Sequence, residues 1–351
     1  MFRFDELRQI HLEITNNCQA SCPMCNRNIN SGLENPLINI RNWTLEEFKM
    51  VMSSEVLNQL DSFYFCGNFG DPILNNDLIK MCAYSKITAP NTSIAIHTNG
   101  GARTIDWWRK LAHSLPVGHK VVFALDGLSD THHIYRVGTK FETIIENAKA
   151  FISEGGNAEW VFIKFKHNEH QVNEARELSI KLGFNSFVLK NSIRFILEPK
   201  INVIDRNGMT THFIEPASDV EMKFIDKKII DNYKQIVKNS VINCKSKNEK
   251  EIYIDAHGDL LPCCWLASVP YSYINPDQAI EVRYEMRRQH NELIEKLGNV
   301  NVFTRSIKEI IESEEYQSIW DNYWTDNKLI TCARTCGINT DFAKPRDQIV
   351  K

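Results

Sequence analysis

The sequence has no long apolar segment, and it carries little excess charge. No run approaches the roughly 18 consecutive apolar residues that a membrane-spanning helix needs. The first six residues, Met1 to Glu6, contain too many charges for a secretory signal peptide. The formal net charge is −3, and no basic, aromatic-rich segment typical of nucleic-acid binding is present. These absences predict a cytoplasmic protein that binds neither a membrane nor nucleic acid.

The remaining composition is that of an ordinary globular protein with many cysteines. Hydrophobic residues make up 43% and charged residues 24% of the 351 positions, which is typical of a folded chain. This length accommodates one large domain and a smaller one. The sequence contains ten cysteines, and without a secretion signal they indicate metal or redox chemistry rather than a disulfide framework.

Six apolar, strand-like segments alternate with helical patterns at the roughly thirty-residue spacing of strand–helix–strand units. They centre on residues 10–14, 63–66, 94–98, 121–125, 160–165 and 187–189. This repetition predicts an α/β fold with parallel strand pairing and right-handed crossovers. Six units suit a partial (β/α)6 TIM-like barrel, and a doubly wound open sheet is the alternative. In either fold, ligands bind at the carboxyl ends of the strands.

Local signals mark several helix ends. Thr44 and Thr139 are each followed three residues later by glutamate, so each predicts a capping box at a helix start. Gly183 follows an apolar stripe and predicts a helix end. The pattern weakens from about residue 191 to 238 into a long bridge, with a helix expected over 219–238.

Three cysteines lie on one short loop directly after the first predicted strand. Cys18, Cys22 and Cys25 have the spacing Cys-x3-Cys-x2-Cys. Three thiolates can hold three irons of a [4Fe–4S] cube and leave the fourth iron open for chemistry. The alternatives are free thiols, or a zinc site that a distant ligand such as His11 completes.

A second set of cysteines lies in the last third of the chain. Cys244 and Cys263 flank a predicted hairpin, and Cys332 and Cys336 follow far downstream. Four cysteines can close one further [4Fe–4S] cluster, and a four-cysteine zinc site is the alternative. Cys264 stands next to Cys263 and is an alternative ligand in its place.

The first cysteine motif resembles the signature of the radical S-adenosylmethionine (SAM) superfamily. In that family the open iron binds SAM, and reductive cleavage yields a 5′-deoxyadenosyl radical that abstracts hydrogen from a substrate. The second set resembles the SPASM domain and the shorter twitch domains. A full SPASM domain usually has seven cysteines and two clusters. This chain lacks most of the middle cysteines, so the resemblance implies one auxiliary [4Fe–4S] cluster.

The resemblance also implies SAM contacts at the strand ends. The expected contacts are Met24, Gly70, Asp71, Asn99, Asp126, Arg136 and Asn168. Asp71 stands where the family has the glutamate of a Gly-Gly-Glu motif, and Ala124 replaces a usual serine. Arg136 suits the SAM carboxylate because a guanidinium is a planar fork. Met24 is expected against adenine, and for Asn168 a helix N-cap is the alternative.

The resemblance implies a radical SAM enzyme of the oxidoreductase type. Its barrel spans about residues 1–215, a helical linker 216–243 and a small α+β auxiliary-cluster domain 244–351. A fully cysteine-ligated auxiliary cluster favours electron relay, and therefore oxidation of a small-molecule alcohol. Peptide modification is the second interpretation, which the expected lack of a preceding peptide-recognition domain weakens. A non-catalytic iron–sulfur or zinc protein is the third.

The resemblance further implies a reducing partner such as flavodoxin or ferredoxin. No histidine stands out as a catalytic base, and the sequence assigns no catalytic acid or base.

Overall fold

The computed structural model describes residues 1–192, 194–195, 199–220, 227–272, 281–340 and 348–349. Its strands are β1 (Gln9–Leu12), β2 (Asn28–Ile29), β3 (Leu33–Glu34), β4 (Ser62–Phe65), β5 (Ser93–Thr98), β6 (Lys120–Ala124), β7 (Ala158–Lys164), β8 (Ser186–Asn191), β9 (Ile201–Ile204), β10 (Thr210–Ile214), β11 (Glu251–Ile254), β12 (Leu260–Leu261) and β13 (Gln348–Ile349).

The α-helices of the described residues surround and follow these strands. They are α1 (Leu45–Val51), α2 (Ser54–Gln59), α3 (Leu78–Thr88), α4 (Ile105–Ser114), α5 (His132–Tyr135), α6 (Phe141–Ser153), α7 (Val172–Leu182), α8 (Lys227–Asn239), α9 (Lys245–Glu249), α10 (Cys264–Ala267), α11 (Glu281–Leu297), α12 (Ile307–Ile311), α13 (Glu314–Thr325) and α14 (Ile330–Cys336). None of these helices is long and apolar enough to cross a membrane.

One sheet carries the architecture, with the strand order β12-β11-β1-β4-β5-β6-β7-β8-β13. Strands β1 and β4 to β8 pair in parallel and in chain order. These are the six predicted strands, and the partial (β/α)6 barrel is confirmed. A doubly wound sheet would reverse its strand order at a switch point, which these six strands do not do.

The two faces of the barrel sheet differ in polarity. Phe63 and Phe65 of β4 are fully buried in the apolar core, which helices cover from outside. Because side chains alternate along a strand, the opposite face carries other residues. There His11 stacks on Tyr64 at 4.5 Å between ring centroids, and Tyr64 lies 5.8 Å from His97. The face turned toward the barrel interior is therefore polar.

The helix-end predictions are confirmed at Thr44 and Gly183 and wrong at Thr139. Thr44 forms a capping box with Glu47, and Gly183 ends α7 with a φ of 86°. At α6 the N-cap is Lys140, which makes no side-chain cap. The Thr139 hydroxyl instead donates to the Arg136 carbonyl at 2.8 Å. This contact ties Thr139 to the loop before the helix, so the hydroxyl does not cap it.

Two features of the second half of the chain differ from the predicted long bridge followed by a separate domain. The hairpin β9–β10 lies inside the predicted bridge. Helix α8 agrees with the predicted helix, whereas residues 221–226 of that prediction lie outside the described residues. Strand β11 pairs in parallel with β1, and Gln9 lies opposite Glu251. The hairpin β11–β12 therefore extends the barrel sheet, and Gly258 in its turn has a φ of 92°.

Candidate functional site

The three cysteines of the first motif are held on the loop that follows β1. The backbone N–H of Ala20 donates to Sγ of Cys18 at 3.4 Å. The thiol of Cys25 donates to the carbonyl of Asn68 at 3.8 Å. The charge of Cys22 acts on both of the other two thiols, so the three side chains lie within electrostatic reach of one another.

The donor set of this loop fits iron. Burial raises the pKa of Cys18 and Cys22, and it raises the pKa of Cys25 to about 11. The three groups are therefore thiols at neutral pH in the absence of metal, and metal binding would release their protons. Within the described ranges no three His, Cys, Asp or Glu side chains converge on a single-ion position. Three soft sulfur donors on one loop are the ligand type that iron–sulfur clusters require.

The turn after β4 is built by close backbone approach. A Cβ atom on Gly70 would lie 2.2 Å from the carbonyl oxygen of Thr15, and one on Gly67 would lie 1.7 Å from the Gly70 oxygen. Both distances are far below van der Waals contact, so only glycine fits at either position. This packing places the turn directly against the start of the cysteine loop.

Asp71 at the end of this turn binds protein donors. Its Oδ2 accepts from the Asn99 backbone N–H at 2.7 Å and from the Thr98 hydroxyl at 3.0 Å. Its Oδ1 accepts from the Ile73 backbone N–H at 3.2 Å. Burial raises its pKa, and these donors oppose that rise. The structure thus shows Asp71 positioning the end of β5, while its predicted contact with SAM stays a prediction.

Asn99 lies beside the first cysteine. Its Nδ2 is 3.6 Å from Sγ of Cys18, and its Oδ1 accepts from Gln19 at 2.6 Å and from the Gly101 backbone at 2.8 Å. The Gln19 partner was not predicted from the sequence. The glutamine between Cys18 and Ala20 carries no motif signal, and only the fold brings it to Asn99.

Asp126 and Arg136 form a buried ion pair next to the second cysteine. Asp126 is fully buried, and its Oδ2 lies 2.6 Å from Nε of Arg136. Its Oδ1 accepts from the Ile163 backbone N–H at 2.6 Å. Nη1 of Arg136 then lies 3.9 Å from Sγ of Cys22. The carboxylate therefore orients a guanidinium toward the cysteine loop.

Asn168 and Met24 have different surroundings. Asn168 is fully buried, its Nδ2 donates to the carbonyls of Asp126 and Ile163, and its Oδ1 accepts from the Phe165 backbone. It makes no side-chain cap either. The hydrogen bonds of its side-chain amide join the ends of two strands, which favours a structural role over the predicted SAM contact. Met24 is partly buried against an apolar cluster that contains Tyr135, Phe165 and Ile214.

The four downstream cysteines converge although they come from distant segments. Cys244 precedes α9, Cys263 precedes α10, and Cys332 and Cys336 lie one turn apart on α14. The backbone N–H of Asn243 donates to the Cys336 carbonyl at 3.0 Å, which joins the first and last segments. Burial raises the pKa of Cys332 well above normal, and the charges of the other three cysteines add to that rise.

Cys263 and Cys264 point to different surroundings. The cysteines that act electrostatically on Cys263, apart from its chain neighbour, are Cys244 and Cys336. Those acting on Cys264 are instead Cys66 and the carboxyl groups of Glu13 and Glu251. The structure thus groups Cys263 with the other three downstream cysteines, whereas Cys264 faces the barrel.

One buried acid near the first cysteine loop, Glu13, was not predicted from the sequence as a site residue. Only 2% of its surface is exposed. Its Oε1 accepts from the Asn68 backbone N–H and from the Tyr253 hydroxyl, each at 2.7 Å, and its buried Oε2 has no partner of hydrogen-bonding geometry among the described residues. Burial raises its pKa to about 8. The sequence signal is an acid between the apolar residues Leu12 and Ile14, directly after β1.

Comparison with protein families agrees with this geometry. Residues 12–178 match the model described as the radical SAM superfamily, and residues 244–337 match the iron–sulfur cluster-binding domain called SPASM. The protein is a radical SAM enzyme. More particularly, the chain belongs to the members of that superfamily that carry a C-terminal SPASM domain. Its cofactors are SAM, a [4Fe–4S] cluster and auxiliary iron–sulfur clusters of the SPASM domain.

Solved structures share the fold at low sequence identity. SuiB of Streptococcus suis bound to SAM is 14% identical, with a TM-score of 0.52 over 89% of this chain and 67% of that one. SuiB bound to its precursor peptide SuiA is 14% identical, with a TM-score of 0.53 over 93% of this chain and 70% of that one. The enzyme anSMEcpe with bound AdoMet is 13% identical, with a TM-score of 0.53 over 97% of this chain and 90% of that one. A comparison with curated protein sequences found no significant match.

Proposed function

We propose that this enzyme oxidises an organic substrate and uses one auxiliary [4Fe–4S] cluster to accept an electron. In this proposal Cys18, Cys22 and Cys25 hold the SAM-binding cluster. The auxiliary ligands are Cys244, Cys263, Cys332 and Cys336. The observation that carries the proposal is the grouping of these four thiols. A cluster with four cysteine ligands has no open iron for a substrate, so its role is electron transfer.

When bound, the first cluster and SAM supply a 5′-deoxyadenosyl radical that breaks a carbon–hydrogen bond of the substrate. Arg136 is the proposed partner of the SAM carboxylate, because a guanidinium forms charge-assisted bonds with that group. Asp126 keeps Arg136 oriented, and Asp71 keeps the Asn99 segment oriented. These carboxylates therefore act as positioning residues. Asn99 lies beside Cys18 and is proposed as a direct contact.

Two further SAM contacts follow from their surroundings. The turn that contains Gly70 packs its backbone on the cysteine loop, so its carbonyl groups are the proposed acceptors for the SAM amino group. Met24 borders an apolar cluster and is the proposed neighbour of adenine, since a flexible thioether packs well on aromatic rings. We do not include Asn168 in the SAM site, because its side-chain amide forms hydrogen bonds with backbone groups.

A small molecule with an alcohol group is the substrate class we propose first. The barrel interior carries His11, Tyr64 and His97, and burial lowers the pKa of both histidines to about 4. The histidines are therefore neutral at pH 7, and the interior offers hydrogen bonds without their positive charge. A neutral polar lining suits hydroxyl groups.

A peptide substrate is the second candidate, which one observation favours. SuiB with its bound precursor peptide and anSMEcpe with its bound Cp18Cys peptide both share this fold, the latter with a TM-score of 0.50. We propose flavodoxin or ferredoxin as the electron donor for either substrate class.

Anaerobic reconstitution with iron and sulfide tests the cofactor part of the proposal. We expect about eight irons per chain, as for two [4Fe–4S] clusters, and 5′-deoxyadenosine when SAM and dithionite are added. Cys18→Ala should lose about four irons and all SAM cleavage. The control Cys82→Ala changes a buried thiol of α3 and should keep both. Bound zinc without SAM cleavage in the wild-type protein would contradict the proposal.

Comparison of extracts identifies the substrate class. Cells that express the wild-type enzyme are compared with cells that express Cys18→Ala, by mass spectrometry of the metabolite and peptide fractions. A small molecule that loses a pair of hydrogens only with the wild-type enzyme supports the first candidate. The same change in a peptide supports the second candidate and rejects the first.

A further inference from the structure

Glu13 lies beside the first cysteine site and close to Cys264. The Asn68 backbone connects it to the first site, because the N–H of Asn68 donates to Glu13 at 2.7 Å while its carbonyl accepts from the Cys25 thiol at 3.8 Å. On the other side the Glu13 charge acts on Cys264, which is the chain neighbour of Cys263. A single acid is therefore within reach of the SAM-cluster loop, and its charge acts on Cys264, which in turn acts on the proposed auxiliary ligand Cys263.

Hydrogen bonds hold one of the two carboxyl oxygens of Glu13. The Tyr253 hydroxyl from β11 and the Asn68 amide both bind Oε1, and the Phe69 backbone also acts on the carboxyl group, but the buried Oε2 has no partner of hydrogen-bonding geometry in the part of the chain that the structure describes. A buried carboxyl oxygen with no donor is costly. An apolar side chain would avoid this cost, whereas the unpaired carboxyl oxygen is a position that can take up a proton.

We propose that Glu13 is the proton acceptor of the oxidation, placed so that proton and electron leave the substrate toward neighbouring groups. This inference rests on the proposed function. The substrate hydrogen atom goes to the deoxyadenosyl radical and forms 5′-deoxyadenosine. With the auxiliary cluster bound, the resulting carbon radical would then lose one electron to that oxidised cluster and its hydroxyl proton to the carboxylate form of Glu13. The carbon–oxygen single bond becomes a double bond, and charge and atoms balance.

The groups that face Glu13 support proton uptake coupled to reduction. The titratable groups that act on it or feel its charge are Tyr253 of β11, Asp255 directly after β11, Cys66 after β4, Cys264 of α10 and Tyr271. All of them are acids, so none neutralises a carboxylate there. An added electron on the auxiliary cluster makes the surroundings more negative, which favours protonated Glu13. By reciprocity, protonation of Glu13 favours reduction of the cluster.

The redox potential of the auxiliary cluster tests this coupling without a substrate. We would titrate the cluster-loaded protein by electron paramagnetic resonance at several values from about pH 6 to about pH 10, around the ionisation of a buried carboxyl. In the wild-type protein the potential should fall as pH rises through the ionisation of Glu13. The expected slope approaches about 59 mV per pH unit, which is tenfold in proton activity for a one-electron couple.

Variants assign the coupling to Glu13. Glu13→Gln keeps an oxygen that accepts from Asn68 and Tyr253, and its potential should no longer vary in this way. The matched control is Glu251→Gln, which removes another acid of the barrel that is bound to a tyrosine, Tyr64, at 3.2 Å. Its potential should keep the wild-type pH dependence. Iron content checks that each variant has folded and loaded.

A second variant changes the affinity of Glu13 for its proton without removing it. The Tyr253 hydroxyl bond lowers the pKa of Glu13, so Tyr253→Phe should raise it. The fall in potential should then begin about one pH unit higher, as expected for the loss of one hydrogen bond to a carboxylate. A wild-type potential that is the same at every pH overturns the inference, as does a Glu13→Gln variant that keeps the slope.

These outcomes separate the inference from the proposed function. If the wild-type protein holds about eight irons and cleaves SAM but shows a flat potential, only the role of Glu13 is wrong. If it holds no auxiliary cluster, the proposed electron transfer fails first.

Discussion

Nη1 of Arg136 lies 3.9 Å from Sγ of Cys22, although 114 positions separate the two residues in the sequence. The loop after β6 thus reaches the cysteine loop after β1. The guanidinium is a cation beside one of the three proposed cluster ligands, and Asp126 holds it from behind at 2.6 Å. We therefore expect stability and SAM binding to depend on the same side chain.

Replacement of Arg136 by glutamine should reduce both. The buried Asp126 would lose its partner, and breaking a buried ion pair costs about 3–5 kcal/mol. The double variant Arg136→Gln with Asp126→Asn should recover most of that stability without recovering SAM binding. Urea unfolding and equilibrium binding of SAM measure the two effects. Wild-type SAM affinity in the double variant would contradict the proposed contact.

The neighbouring cysteines should differ sharply in iron content. Cys263→Ser should lose the auxiliary cluster, about four irons per chain. Cys264→Ser is the matched control one residue away, and it should keep the full iron content because its thiol faces Cys66 and Glu13. Iron analysis and Mössbauer spectra distinguish the two variants. The reverse result would assign the ligand role to Cys264.

Gly70→Ala should destabilise the protein through a backbone collision. The added methyl group would lie 2.2 Å from the Thr15 oxygen, so the turn or the cysteine loop must move. Gly155→Ala is the control, since its φ is 82° and nothing lies near its Cβ position. That change should cost only the roughly 1–2 kcal/mol of a left-handed residue. Chemical unfolding should show the larger loss for Gly70→Ala.

Asn168→Ala should affect stability rather than cofactor binding. The change removes hydrogen bonds to the backbone groups of Asp126, Ile163 and Phe165, all in a buried region. We expect a loss of about 2–3 kcal/mol, since unsatisfied buried groups carry the desolvation cost. SAM affinity of the folded protein should stay within about threefold of wild type, a change below 1 kcal/mol. A large loss of SAM affinity at unchanged stability would restore the predicted contact.

The stability of the protein should carry the signature of Glu13. Its pKa is raised from 4.5 to about 8 in the folded state, so the folded protein binds more protons than the unfolded chain between these values. The contribution of Glu13 to stability is therefore most favourable at low pH and falls as pH rises through this range. The slope is at most about 1.4 kcal/mol per pH unit.

Glu13→Gln removes this contribution. The variant should gain stability relative to wild type as pH rises from about 5 to about 8, and the difference should be constant above that. Urea unfolding of both proteins at several pH values measures it. Parallel stability curves would show that Glu13 does not have the raised pKa.

Local patterns were sufficient for the strands and for the first cysteine loop. The predicted strand at 94–98 is found at Ser93–Thr98, and that at 160–165 at Ala158–Lys164. Alternation and apolar runs report burial directly, so they transfer to structure with shifts of a residue or two. The box at Thr139 failed because a competing carbonyl, that of Arg136, takes the hydroxyl. A local motif does not show such competitors.

Local sequence patterns were enough to locate the six barrel strands and the three clustered cysteines, because both depend on neighbours along the chain, whereas the strand order needed the folded structure. Only the tertiary structure decided which of Cys263 and Cys264 joins the distant thiols, since adjacent residues differ in direction and not in sequence signal. It also decided that β11 pairs with β1 and so brings Tyr253 onto Glu13. Contacts between remote segments arise from packing, and a local sequence pattern does not indicate which distant residue a side chain will contact.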